Sequence, residues 1–410
     1  MRVTRSALVL LLAVLLLALV AAEALAVPLF ARKYGFVCTM CHTTFPNLND
    51  FGQKFRMNAY SIPGSEDQEK TVLESGAPFA ARTMAGFTSD KFAPGGGDVE
   101  VSQFRLNGLD LFAAGLIGGR KGFFVGYKPS ISGSSGVDAQ EGALEQASVA
   151  FSQLAGTWLN ARVGRFEAAY VPFSQLRSIT MAPYEIYNFD GSPAALEPGL
   201  RGSRNTFMLA ETADGLEITG YGPHSFQYAV GLTNGSRSNR SSDGASDVYA
   251  RAAYVFGEGL GQVAGQRVGV TGYFGQARGE GLTDRNSFAR LGVDASLNTG
   301  PFSAWVQWVQ GWDNGAFNIA APGDQYKFSG GFVQLNHVTG ASTKFVRYDW
   351  VDTPATDNHD IARWTLGWRH PMGDNLALQL EYSNRRVQNG VLPSGCLSEN
   401  FATARLDWAF

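Results

Sequence analysis

Two thiols and an imidazole fall within five residues, Cys38-Thr39-Met40-Cys41-His42. Thiols at this spacing can each form a thioether to one of the two vinyl groups on one edge of a porphyrin. The adjacent imidazole then lies beneath the ring as an iron ligand. The pattern predicts one covalent haem (heme c), with thioethers at Cys38 and Cys41 and His42 as the proximal ligand. The same cysteine pair suits two other chemistries. A redox dithiol needs a thioredoxin-like βαβ context, which the flanking sequence lacks. A zinc site needs a second ligand pair at close spacing, and the next cysteine is Cys396.

The iron's other axial position has two sequence candidates. Met57 follows His42 in the same small region, and Met84 lies farther on; Met40 sits inside the attachment loop and is poorly placed to cross the ring. The element that would carry Met57 is a helix. Leu48, Phe51 and Phe55 fall on one helical face, and Asn47 or Asn49 is placed to cap its start. Met57 projects from the face opposite Leu48.

Residues 1–26 read as a secretory leader. Arg2 and Arg5 precede an unbroken apolar run over 7–20, and Ala24-Leu25-Ala26 is a small-x-small cleavage site. Haem attachment of this kind takes place outside the cytoplasm, which agrees with export. No later stretch is long and apolar enough for a membrane-spanning helix. A net charge of −3 over 410 residues gives no basis for nucleic-acid binding.

Residues 27–78 form the expected haem domain, small and mainly helical. From residue 79 to 410 the pattern changes to period two. Ala362, Trp364, Leu366 and Trp368 alternate with Arg363, Thr365, Gly367 and Arg369, and Leu376, Leu378, Leu380 and Tyr382 alternate with Ala377, Gln379, Glu381 and Ser383. One apolar and one mixed polar face per strand suits a barrel with lipid outside and a lumen inside. Sixteen strands are expected, at 79–90, 100–113, 121–131, 142–154, 157–171, 204–222, 225–233, 247–257, 265–277, 286–298, 301–312, 327–338, 342–353, 361–370, 374–386 and 399–410. Short turns alternate with long polar loops, 173–203 among them, as in outer-membrane barrels. The chain ends on an alternating strand closing with Phe410, like the C-terminal signal of those barrels. The fold class is therefore all-β, a 16-stranded antiparallel transmembrane barrel whose aqueous lumen is plugged by the haem domain. Met84 shares the lumen parity of its strand. The inward residues Arg105, Arg162, Arg251 and Arg363 are candidates for haem propionates or ordinary pore charges.

The run Pro28-Leu29-Phe30-Ala31-Arg32 up to Cys38-x-x-Cys41-His42, followed by Phe45-Pro46-x-Leu48-Asn49-x-Phe51-Gly52-x-x-Phe55, resembles the fused outer-membrane monohaem cytochrome–porins of iron-oxidising bacteria. The match covers residues 27–60; for the barrel the resemblance is architectural. It implies electron transfer across the outer membrane between an extracellular donor, Fe(II) in that family, and a periplasmic carrier such as a cytochrome c. The expected partners are those two and outer-membrane lipid. The alternative is a solute porin whose haem domain is redox-passive or sensing. A peroxidase-like haem with an open sixth position is a third reading.

Overall fold

The computed structural model describes residues 28–66, 68–75, 79–93, 99–130, 142–176, 178–189, 205, 207–222, 225–236, 247–256, 265–277, 286–314, 323–354, 359–373, 375–388 and 396–409. The leader 1–26, the terminal Phe410 and His224 lie outside the described residues. A short N-terminal part holds helices α1 (Pro28–Tyr34), α2 (Asp50–Met57) and α3 (Val72–Ser75) and the small strands β1 (His42–Thr44) and β2 (Asn47–Leu48). The long strands follow: β3 (Phe79–Ala93), β4 (Val99–Gly118), β5 (Lys121–Lys128), β6 (Ala143–Phe151), a short β7 (Leu154–Thr157), β8 (Asn160–Phe166), β9 (Ala213–Tyr221), β10 (Phe226–Ser236), β11 (Asp247–Val255) and β12 (Arg267–Ala277). The series ends with β13 (Asn286–Thr299), β14 (Phe302–Asp313), β15 (Tyr326–Thr339), β16 (Ser342–Asp352), β17 (Ile361–Gly373), β18 (Leu376–Gln388) and β19 (Cys396–Ala409).

Strands β3–β6 and β8–β19 form one closed antiparallel barrel of 16 strands, each paired with its neighbour in the barrel. Closure comes from β19 pairing with β3, in register from Ser398 opposite Ala93 to Ala409 opposite Arg82. Burial is inverted relative to a water-soluble protein. Val268, Val270, Phe274, Leu291, Val293, Leu335, Trp364 and Leu366 are exposed, while Arg251, Arg290, Asp294, Gln334, Arg347, Asp349 and Thr365 are buried. Apolar side chains outside and polar ones inside are what a bilayer-facing barrel requires. The chain is a β-barrel of outer-membrane type.

The lumen differs from the expected aqueous channel. After Phe166 the chain turns inward. Tyr170, Phe173, Tyr184, Tyr187 and Phe207 pack against wall residues Tyr249, Tyr273, Trp305 and Phe332, forming a buried aromatic core inside the barrel. The rings meet closely: Tyr184 lies 4.2 Å from Phe332, Phe207 4.4 Å from Tyr273, and Tyr170 5.0 Å from Tyr249. Rings of this size bury 150–250 Å² each and gain further from edge and offset contacts.

Polar groups pin the segment. Glu381 accepts the backbone N–H groups of Met181 and Ala182 and the Thr180 hydroxyl, at 2.8–3.1 Å. Arg347 donates to the carbonyls of Ala182 and Pro183. Two expected strands are correspondingly shorter. Segment 157–171 is a strand only over Asn160–Phe166, and 204–222 only over Ala213–Tyr221. Their remaining apolar residues satisfy themselves in the lumen rather than against lipid, and Pro172 has no N–H for a ladder. The described part of the expected extracellular loop 173–203 lies inside the barrel for the same reason.

The N-terminal part sits within the barrel end that carries the short turns. Thr44 and Asn47 bond to Ser303 and Ser296, beside the tight β13–β14 turn. Gln153 donates to Glu66, Arg56 donates to the Glu167 carbonyl, and the Tyr60 ring lies 5.8 Å from Phe124 of β5.

Removing the Glu381 carboxylate is expected to open the lumen. The Thr180 hydroxyl, the Met181 and Ala182 N–H groups and the Gln379 amide would lose their partner, at about 1–3 kcal/mol for each buried donor. Glu381→Ala should raise single-channel conductance in planar bilayers several-fold over wild type. Equal conductance would show that this anchor does not hold the segment in place.

Candidate cofactor cavity

The attachment sequence is held by one asparagine. Cys38–Met40 form a single 3₁₀ turn, with the Cys41 N–H donating to the Cys38 carbonyl at 3.2 Å. Residues three apart eclipse in such a turn, so Cys38 and Cys41 face one side. Asn49 caps α2 by accepting the Gly52 N–H at 2.9 Å, and its side-chain amide donates to the carbonyls of Thr39 and Met40 at 3.2 and 3.0 Å. Its backbone N–H donates to the Cys41 carbonyl at 2.9 Å. Of the two expected caps, Asn49 fills the role. Gly52 explains itself by proximity: a Cβ there would sit 2.2 Å from the Cys41 carbonyl oxygen. The helix packs directly on the backbone of the attachment turn, and only glycine permits the approach.

His42 begins β1, which pairs with β2 through the turn at Phe45-Pro46. Its Nδ1 lies 3.1 Å from the Pro46 carbonyl oxygen. A carbonyl can only accept, so Nδ1 carries the proton and Nε2 keeps its lone pair, the arrangement that orients an imidazole ligand. Burial lowers the His42 pKa to about 4 and raises that of Cys41 to about 11. At neutral pH the imidazole is uncharged and that thiol protonated. No disulfide joins Cys38 to Cys41.

Cys38, Cys41 and His42 all line one cavity that is partly open to solvent. Its N-terminal wall is aromatic, with Phe30, Phe36, Phe45, Phe55 and Tyr60. Its barrel wall is a belt of inward side chains from five adjacent strands: Arg82, Phe112, Phe124, Gln146 and Arg162. Val171 and Pro172 of the inward segment also line it. Arg82 is fixed by a bidentate pair with Asp407 at 3.0 and 2.8 Å. Arg162 donates to Glu217 and to the Glu167 carbonyl. An apolar body with cationic margins and an outward-facing thiol pair fits a haem macrocycle with its propionates. A metal-only site has less support, since no group of three or more His, Cys, Asp or Glu able to hold a metal occurs among the described residues.

The other expected site residues lie elsewhere. Met57 lines an adjoining cleft with Arg251 that shares Gln53 and Arg56 with the cavity of His42, and Met84 lines another with Asp110, Met181 and Arg405. Neither lines the cavity of His42. Of the four inward arginines only Arg162 does. Arg251 pairs with Asp294, Arg363 with Glu185, and Arg105 lies 3.6 Å from Asp90. Sequence patterning placed Arg82 on the lumen face but did not assign it to the site, and it missed the Asn49 clamp and the Phe112–Phe124 wall. The Asn49–Gly52 spacing was visible, but its reach back to Thr39 and Met40 was not.

No family model matches the chain, and no curated protein sequence matches it. Solved structures do resemble it in fold. An anion-selective porin from Comamonas acidovorans aligns at 15% identity with a TM-score of 0.58, covering 82% of this chain and 100% of that one. The outer membrane channel DcaP of Acinetobacter baumannii aligns at 9% identity and 0.58, covering 82% and 98%. OmpF of Salmonella typhi, solved with daunomycin, aligns at 11% and 0.52, covering 82% and 97%. At these identities the likeness is one of fold.

The packing of α2 on the attachment turn can be tested by proteolysis. Gly52→Ala forces α2 off the Cys41 carbonyl, an overpacking cost of about 1–3 kcal/mol. Asn49→Ala loses a cap worth about 0.5–2 kcal/mol. Tryptic cleavage after Lys54 and Arg56 should accelerate in both, more in the glycine variant, while the heat-modifiable migration of the barrel persists. Unchanged cleavage would mean that the turn is held by other contacts.

Proposed function

We propose that this chain is an outer-membrane electron-transfer protein. Cys38 and Cys41 hold one haem covalently, and the neutral His42 Nε2 serves as a ligand to its iron. The observation that carries the reading is the cavity itself: the attachment residues open into an aromatic-walled space inside a barrel whose lumen also holds a buried aromatic core. A solute needs a continuous aqueous path; an electron needs only donor and acceptor brought close. Bound haem supplies one-electron redox chemistry. The chain's own residues position it, keep water from its apolar faces and set its electrostatic surroundings through Arg82 and Arg162. By the barrel rule of short periplasmic turns, the cavity end is periplasmic and faces a soluble carrier such as a cytochrome c. The long-loop end faces an extracellular donor or acceptor, for which Fe(II) is the candidate.

One observation favours a second reading. The solved structures of like fold are named as porins and a channel. On that reading the barrel passes small solutes, and the inward segment is a constriction around residual water rather than a stopper.

Two measurements decide. The wild-type protein should carry haem that survives denaturing electrophoresis, and Cys38→Ala with Cys41→Ala should abolish that stain without loss of the barrel. A haem-free wild type would end the electron-transfer reading. In liposomes loaded with a dye acceptor, an impermeant external reductant should reduce the dye only with wild-type protein in the membrane. Solute leakage at open-porin rates without dye reduction would instead establish the porin.

A further inference from the structure

The cavity around His42 is lined by that single imidazole and by no methionine among the described residues. Met57 lines a neighbouring cleft that borders this cavity along Gln53, Arg56, Val171 and Pro172, and Met84 lines another with Met181 and Arg405. The polar side chains that do line the cavity are mostly hydrogen-bond donors. We propose, building on the haem reading above, that the chain gives the iron no second strong axial ligand. The cavity instead admits a small exogenous one, a diatomic molecule or small anion, in the company of Arg162, Gln146 and Tyr60.

Three features of the cavity support this. Arg162 is held rigidly, its ring-facing side 4.3 Å over Phe166 and its bonds to Glu217 and the Glu167 carbonyl both leaving from Nη2. Guanidinium carries five N–H donors in a fixed fork, so Nε and Nη1 remain for a further acceptor. Tyr60 is stacked 5.4 Å from Phe30, which fixes its phenol in the wall. The one carboxylate lining the cavity, Glu167, is engaged through Oε1 by the Ser174 hydroxyl and the Gln175 N–H at 2.9 and 3.2 Å. Polarity, donors and steric access around a haem decide whether it binds small molecules or only passes electrons. This cavity has donors, and it is partly open to solvent.

The test is spectroscopic, on the full-length protein in detergent. The ferric form is expected to be high-spin. Cyanide should titrate it saturably, and carbon monoxide should do so after reduction. Met57→Leu and Met84→Leu should leave the spectrum unchanged. Arg162→Lys, which keeps the charge facing Glu217, should raise the cyanide Kd about tenfold through loss of a charge-assisted hydrogen bond. A low-spin ferric spectrum, or failure to take either probe, overturns the proposal. A spectrum altered in either methionine variant does the same. These outcomes differ from a protein that carries no covalent haem, which removes the underlying reading itself.

Discussion

Everything in this molecule depends on a sheet with no free edge. Backbone N–H and C=O groups find no water in hydrocarbon, so a lipid-embedded sheet must pair every strand on both sides. The last strand therefore returns to the first, and β19 closes on β3 over twelve register positions. The seam is also reinforced through side chains. Arg82 of β3 grips Asp407 of β19 with two hydrogen bonds, both partners nearly buried. Breaking such a pair leaves an uncompensated buried charge, which is far more destabilising than the pair is stabilising. Arg82 also lines the cavity of Cys38 and His42. The residue that locks the barrel shut and the residue that borders the candidate site are the same.

Closure creates an interior, and the interior has to be filled. Sixteen strands enclose more space than wall side chains can occupy. Here the space is taken from two directions. The N-terminal part enters at the short-turn end, and the segment after β8 folds in from the wall. The fill is not uniform in character. The inward segment is aromatic against aromatic, with Tyr184, Tyr187 and Phe173 gathered around Phe332. Around it run Arg–carboxylate pairs such as Arg251–Asp294, Arg290–Asp313 and Arg347–Asp349. Arg347 and Asp349 share a strand, Arg290 and Asp313 lie on adjacent strands, and Arg251 reaches Asp294 across the intervening β12. The aromatic rings are then free to pack without stranding a charge.

Much of this was legible in the residues. Period-two alternation such as Ala362–Trp368 against Arg363–Arg369 specifies strand, face and membrane at once, and it yielded the strand number and the closed order. The attachment spacing at Cys38–His42 is a local pattern and needs no tertiary context to be seen. What escaped was decided by distant partners. Nothing around Thr180–Ala182 announces that Glu381, about two hundred positions away, will hold three of its donors. An apolar residue in an alternating segment can face lipid or a packed lumen, so Ala168–Val171 and Phe207–Leu209 read as strand and folded inward. The placing of Met57 and Met84 was not legible for a related reason: helix face for the one and strand parity for the other say which way a side chain points, not which of several clefts receives it.

The cysteine turn also carries information about time. Its thiols open into a space walled by β3 through β8, and Thr44 and Asn47 beside it bond to serines near the turn joining β13 and β14. The N-terminal part leads in the chain, while the wall is complete only when the final strand reaches the first. Whatever those thiols are to carry is most easily delivered while the chain is still an open thread. Once the hoop has closed, a rigid flat ligand would have to be passed in beside the helices and turn that support it. On the haem reading, the order of synthesis would double as an order of assembly, with loading first and enclosure last.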